Sequence, residues 1–281
     1  MSGFPVLPLR GELSAVLPAS SVAVPPGVTA GVTVFDRDTG RITEQLNPDL
    51  RFRSASVVKL LIALDLLWDR GPAYELTAAD RDRLEVMLRS SDDDAASHYW
   101  DELGAGDIVD RMVARLGLTH TARPPATHPG FWGYVAITPA DTVRIYLYLL
   151  EHAPAPVREI VMGHLHQATR TGTDGFDQYF GIASVFDGDF GIKQGWSGFA
   201  GSSGFGSDRA KPDAAGIDLT SEALHTTGTV GPGDRTIVAV YTLHPAGTAY
   251  EQAYADVTRL VGTLDIPGGT PAAKLPGVPG D

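Results

Sequence analysis

The chain has no cysteine in its 281 residues. That excludes disulfides, thiol catalysis and zinc sites built on thiolates, and leaves the compartment open. Positive charge is scarce: 22 Lys and Arg stand against 34 Asp and Glu, a formal net charge of −12. So acidic a chain argues against nucleic acid or an anionic membrane surface as partner. No apolar run approaches the roughly 18 residues that a membrane span needs. The N-terminal stretch is apolar but broken by five prolines and by Arg10 and Glu12, without the charged-then-oily order of a secretory signal. Either the protein stays inside the cell or the sequence starts after a removed signal. No Gly-x-Ser-x-Gly elbow occurs, which removes the ordinary α/β-hydrolase arrangement. Gly204-Phe205-Gly206 is not a nucleotide motif, since no strand, glycine-rich turn and helix surround it. His164 and His166 lack a third ligand nearby, so no metal or cofactor is expected.

What remains is an ordinary globular composition, 43% hydrophobic, with enough length for a well-buried core. Val32-Thr33-Val34-Phe35, Asp38-Thr39-Gly40 and Ile42-Thr43 predict a hairpin over about 29–47, with Asp36 to Gly40 read as its turn rather than a calcium loop. Helices are expected at about 55–69, 77–90, 93–103 and 106–116, followed by a loop over about 117–137. Thr138-Pro139 reads as a cap and first-turn proline opening a helix to about Glu151, with another at about 154–168. Strand patterns follow at about 189–195, 223–230 and 235–243, then a helix at about 249–264. Strands thus lie at both ends and helices between. The expected class is α/β (α+β), with one antiparallel sheet built from both chain ends, flanking helices and an inserted all-helical lobe. In a single domain, 1–281, the sheet lobe takes about 28–55 and 180–264, the helical lobe about 56–179, and the tails 1–20 and 266–281 fray.

Ser56 and Lys59 stand three residues apart at the head of an almost wholly apolar helix. That spacing places both on one face, close enough to share a proton. Burial and the positive helix end both favour a neutral amine, which beside a hydroxyl makes a nucleophile and its base. An N-cap serine followed by a snorkelling lysine is the plainer reading. Ser91-Asp92-Asp93-Asp94 reads alone as a cap with acids in the first helical turn, and Gly191-Ile192-Lys193-Gln194-Gly195-Trp196 as a strand end. Asp94 and His98, one turn apart, read as a local ion pair. Phe131-Trp132-Gly133-Tyr134 suits either a cleft rim or core packing.

Together and in this order, Ser56-Val57-Val58-Lys59, Ser91-Asp92-Asp93 and Lys193-Gln194-Gly195 resemble the Ser-x-x-Lys, Ser-Asp-Asn and Lys-Thr-Gly motifs of the serine β-lactamases and penicillin-binding D,D-peptidases, especially the class A β-lactamases. Phe52 to Lys59, Ile137-Thr138-Pro139 and Arg235 to Tyr241 extend the likeness over roughly residues 28–264. The resemblance implies that Ser56 attacks a carbonyl, that Lys59 takes its proton, that Ser91 relays a proton to the leaving group, and that Lys193 supplies positive potential. It implies an oxyanion hole from the backbone N–H groups of Ser56 and Trp196, and substrate contacts from Asp93, Gln194 and Gly195. It further implies an extracytoplasmic monomer acting on a small molecule or peptide with a carbonyl centre.

Three departures bear on activity. No acidic residue occurs between Asp110 and Asp141, where class A enzymes carry the glutamate that activates water. Asp93 replaces an asparagine, and its charge next to Lys59 would raise the lysine's pKa, unless Asp93 itself serves as base. Gln194 replaces a small hydroxyl residue, and no arginine lies near Ser221 in sequence; the Gly/Ser-rich segment to about Thr220 carries Arg209 and Lys211 instead. The expectation is a serine hydrolase with weak or absent β-lactam turnover. A β-lactam-binding sensor, a D,D-peptidase-like enzyme and a retired homologue are the alternatives.

Overall fold

The structure is a computed structural model that describes residues 22–71, 73–200 and 216–273. Along the chain run β1 (Thr29–Asp36), β2 (Arg41–Leu46), β3 (Phe52–Arg53), α1 (Lys59–Trp68), α2 (Ala78–Arg89), α3 (Asp93–Glu102) and α4 (Gly106–Leu116). Then come β4 (Ala136–Ile137), α5 (Pro139–Leu147), α6 (Ala155–Leu165), α7 (Ile182–Val185), β5 (Phe186–Asp187), β6 (Phe190–Ser197), β7 (Glu222–Val230), β8 (Thr236–His244), α8 (Tyr250–Val261) and β9 (Thr270–Pro271).

The five-stranded sheet has the order β2-β1-β8-β7-β6 and is antiparallel throughout. Both chain ends therefore build one sheet, as the alternating patterns at 29–47 and 189–243 predicted. Strand β1 lies inside it because Val32 and Val34 on one side and Phe35 on the other are all buried. Strand β6 is an edge, and that edge carries Lys193.

Helix α1 forms the centre of the larger core. Leu60, Leu61, Ile62, Ala63 and Leu64 are each at most 1% exposed, so apolar residues surround it, and each large side chain contributes about 1.5–3 kcal/mol of burial. Its one internal acid, Asp65, is not an exception to that logic. Arg111 and Arg115 of α4 hold its carboxylate at 2.6 and 3.0 Å, clamping α4 onto α1. Thr138 caps α5, accepting a hydrogen bond from the Asp141 N–H at 3.1 Å, with Pro139 in the first turn. Asp141, fully buried, accepts from the N–H groups of Thr119 and His120 and pairs with Arg144, fixing the start of the 117–137 loop.

Several local expectations change. The helix expected from residue 55 opens as a 3-10 turn over Ala55–Val58 before α1 begins. The helix from Pro139 ends in a π-helical turn at Tyr148–His152. Part of the tail expected to fray is paired: Thr270 and Pro271 of β9 lie against Asp187 and Phe186. His98 pairs with Glu102 rather than Asp94. Asp36 caps its hairpin turn through the Asp38 N–H and Thr39, and binds Arg235. The tail 1–20, Gly204 to Gly206, Arg209 and Lys211 lie outside the described residues.

Candidate active site

The backbone just before Ser56 is strained. Ala55 has φ of +45°, a conformation that costs a non-glycine residue about 1–3 kcal/mol and persists only where the surroundings impose it. Those surroundings are visible. The Ser54 N–H donates to Val135 O at 2.8 Å, and the Ser54 carbonyl accepts from Val57 N–H at 3.1 Å. Strand β6 then lies directly against the turn at Gly195. A Cβ there would sit 3.0 Å from Ser54 O, 3.2 Å from Val57 Cγ2 and 3.3 Å from Ala55 Cβ. Only glycine lets the strand come this close, and the approach brings the Gly195–Trp196 backbone beside Ser56.

Four side chains from three separate stretches meet at this point. Lys59 Nζ lies 2.8 Å from Ser56 Oγ, 2.6 Å from the Ser91 carbonyl and 3.3 Å from Ser91 Oγ. Lys193 Nζ lies 2.8 Å from the same Ser91 Oγ and 3.3 Å from the Gln194 carbonyl. Ser91 thus stands between two amines, in a left-handed conformation with φ of +56°. Its location explains that strain: Asp92 caps α3 by accepting from the Ala95 N–H at 2.7 Å, which leaves Ser91 to turn inward, away from the capping role.

Both lysines are essentially without solvent exposure, at 0% and 1%. Burial lowers the pKa of each, since it penalises the ammonium. Their partners differ. Asp93 Oδ1 is 2.6 Å from Lys59 Nζ and opposes the fall. Lys193 forms no ion pair among the described residues, and the charge of Lys59 lowers it further, so its amine falls well below the ordinary lysine range. Asp92 acts on Lys59 from a distance and Asp174 on both amines, each favouring the charged form.

The remaining expected site residues are placed as follows. Trp196 is buried and its indole N–H donates to Asp174 Oδ2 at 2.7 Å, an acid that sequence reasoning had not singled out. A cavity of about 1060 Å³ lies next to this pair, lined among others by Arg170, Asp174, Phe176, Phe199 and Tyr250. Gln194 does not sit where a substrate ligand was expected. Alternation along β6 turns its side chain opposite to Lys193, and its Nε2 donates to the carbonyls of Gln178 and Phe180 at 3.0 and 2.9 Å. It fastens the segment before α7. Trp132 packs on the site from the 117–137 loop, its ring centroid 4.7 Å from Lys59 Nζ and its indole N–H on Ser97 Oγ at 3.2 Å.

An arginine does reach Ser221, from a place that reading along the neighbouring strand could not reveal. Arg53 of β3, 2% exposed, donates to the Ser221 carbonyl, to Asp218 O at 2.7 Å and to Ser197 O at 3.0 Å. Burial lowers its pKa to about 10, so it stays charged at neutrality. Its donors are engaged by carbonyls, tying the nucleophile's approach strand to the end of β6.

This fold is that of the serine β-lactamases and penicillin-binding proteins. PBP-A superposes with a TM-score of 0.62 at 15% identity, covering 86% of this chain and 90% of that one. A PBP-A mutant in an acyl-enzyme complex with penicillin G gives 0.61, at 15% identity over 84% and 89% of the two chains. The β-lactamase from Streptomyces albus G gives 0.60, at 20% identity over 85% and 95%. No protein-family model matches the chain. Among curated proteins, those named lipoprotein LppW in Mycobacterium bovis and Mycobacterium tuberculosis are 34% identical over 268 residues, covering 93% of this chain and 76% of theirs. The chain belongs to the LppW family.

Proposed function

We propose that the protein is a serine hydrolase that acts through an acyl-Ser56 intermediate on an amide or ester carbonyl, with little or no β-lactam turnover. The observation that carries this is the unbroken chain Ser56 Oγ–Lys59 Nζ–Ser91 Oγ–Lys193 Nζ, with links of 2.8, 3.3 and 2.8 Å, in a buried setting. A serine hydroxyl in contact with an amine is a nucleophile with a route for its proton. Ser56 Oγ bonds to the carbonyl carbon, its proton enters the amine–hydroxyl network, the bond to the leaving nitrogen or oxygen breaks, and Ser91 returns a proton to the leaving group. Backbone N–H groups of Ser56 and Trp196 are the oxyanion donors in this scheme, and Gly195 is what lets the second approach.

Slow release of the acyl group follows from residues 111–140, which contain no carboxylate to activate water and which present the Trp132 ring to Lys59 at 4.7 Å instead. A general base typically contributes 10²–10⁴-fold, so its loss leaves a long-lived acyl-enzyme. That same feature supports a second reading, a domain acylated once that senses or sequesters its ligand. The name of the LppW relatives supports an extracytoplasmic, membrane-anchored placement; no helix among the described residues is long and apolar enough to cross a membrane.

Intact-mass spectrometry after exposure to a fluorescent penicillin and to a serine-directed phosphonate tests the proposal. Wild type gains one adduct, mapped to Ser56, and Ser56→Ala gains none. Absence of labelling by both reagents, or labelling that survives Ser56→Ala, refutes it. Nitrocefin hydrolysis at ordinary turnover contradicts the slow release, and turnover of esters or peptides separates the hydrolase from the sensor.

A further inference from the structure

We infer that the two lysines divide their charge in the opposite sense from the resemblance: Lys59 rests as the ammonium, and Lys193, acting through Ser91, is the free amine that ends with the reaction's proton and returns it. The inference rests on the acyl-serine reading and names the base within it.

The counter-charge in contact with one amine and not the other gives the argument. An ammonium has three N–H donors and no acceptor. Lys59 Nζ meets three close acceptors: Asp93 Oδ1 at 2.6 Å, Ser91 O at 2.6 Å and Ser56 Oγ at 2.8 Å. A neutral amine would give its two N–H groups to the carboxylate and the carbonyl and take the Ser56 O–H on its lone pair, so the count alone fits either state. The Asp93 carboxylate in contact at 2.6 Å decides for the ammonium, whose charge neutralises it. Lys193 presents the reverse case. Its close partners are a hydroxyl, Ser91 Oγ at 2.8 Å, and the Gln194 carbonyl at 3.3 Å, with no carboxylate bonded to it among the described residues. A neutral Lys193 gives one N–H to the carbonyl and receives the Ser91 O–H on its lone pair.

The groups facing Lys193 agree. From α1 the Lys59 charge repels a second cation; Asp93 at the start of α3, in contact with Lys59, and Asp174 both favour a charged Lys193, but less than burial and Lys59 oppose it. On the sheet side, Thr227 Oγ1 donates to the Lys193 carbonyl and Tyr146 bonds Thr227, leaving no charge there. His166, near the start of β6, is bound to Asp234. Burial then draws the proton off Lys193 before Lys59, because only Lys59 has a counter-charge in contact.

The proton balance closes without any added reactant. Ser91 first gives its proton to Lys193 and takes one from Lys59, which frees a lone pair on Lys59 to accept the Ser56 proton as Oγ bonds to carbon. Lys59 and Ser91 end as they began, and Lys193 becomes the ammonium. Breakdown reverses the last transfer, delivering the proton from Lys193 through Ser91 to the leaving group.

The sequence contains only four lysines, Lys59, Lys193, Lys211 and Lys274, so lysine-selective ¹³C labelling gives a readable spectrum of the wild-type protein. At pH 7 the Cε signal of Lys193 is expected at the free-amine position and that of Lys59 at the ammonium position. Asp93→Asn assigns them, since its carboxylate bonds Lys59 at 2.6 Å and its removal should move that signal the more. Acylation kinetics supply the second arm. Lys193→Arg keeps a cation but cannot accept a proton, so labelling of Ser56 by fluorescent penicillin is expected to fall at least 100-fold. The double variant Asp93→Asn/Lys193→Arg frees Lys59 to serve as base and is expected to recover to within about tenfold of wild type. An ammonium signal for Lys193 at pH 7 overturns the inference, as does Lys193→Arg labelling at the wild-type rate. A folded double variant no faster than Lys193→Arg also overturns it. Wild type that cannot be labelled at Ser56 at all would instead refute the acyl-serine reading, whatever the lysine signals show.

Discussion

Acid should destabilise this protein through one histidine under the active site, and the size of the effect follows from its surroundings. His225, in β7, is fully buried; its Nε2 is 2.9 Å from the carbonyl of Arg53, and its Nδ1 accepts from the Thr242 N–H at 3.3 Å. The ring is therefore neutral with its proton on Nε2, packed between Phe52 and Tyr241. Burial, opposed only in part by the Arg53 carbonyl, lowers its pKa from 6.5 to about 3. A lowered pKa means that the unfolded chain binds the proton first, so the stability is present above pH 6.5 and is lost as pH falls toward 3. At about 1.4 kcal/mol per unit, lowering the pH from 7 to 5 removes about 2 kcal/mol, and full protonation on the order of 4–5 kcal/mol. His164 and His244, also lowered, add in the same direction, whereas His166, raised by Asp234, loses its contribution only as pH rises. Urea unfolding of wild type and of non-titrating His225→Gln at pH 7, 6 and 5 isolates the term. The difference in unfolding free energy between the two proteins should shrink by about 2 kcal/mol from pH 7 to pH 5. A pH-independent difference would refute the buried neutral ring. The loss has a functional side, because the carbonyl that His225 holds belongs to the strand leading into Ser56.

Gly195→Ala should slow acylation of Ser56 about tenfold or more, measured by labelling kinetics. The added Cβ meets the Ser54 carbonyl at 3.0 Å, so β6 must retreat by a few tenths of an ångström, and small misplacements of an oxyanion donor are costly. Wild-type kinetics in a folded Gly195→Ala would show that this edge of β6 takes no part. Gln194→Leu, in contrast, should cost about 1–3 kcal/mol in urea unfolding by stripping donors from two buried carbonyls, while changing the labelling rate less than threefold. A large loss of labelling at unchanged stability would return Gln194 to the substrate.

The order of elements, the sheet made from both chain ends and the apolar α1 were legible because each rests on local periodicity that burial rewards. Ser56 and Lys59 were legible as neighbours because a helical turn fixes their spacing. The sequence order of the Ser91 and Lys193 motifs suggested that they join them, but only the packing of β6 and the α3 entry against the opening turn of α1 brings those side chains within hydrogen-bonding distance. Asp93, Gln194 and Arg53 show what local reading leaves open. A carboxylate's meaning depends on which amine it touches, an amide's on which side of an edge strand it faces, and an arginine's on where β3 runs. Ala55 and Ser91 carry left-handed backbones that nothing in their residue type requires. Composition set the chemistry available to this chain. The close approach of β6 to the first turn of α1 decided which groups share a proton, because only tertiary packing sets distances between residues over a hundred positions apart.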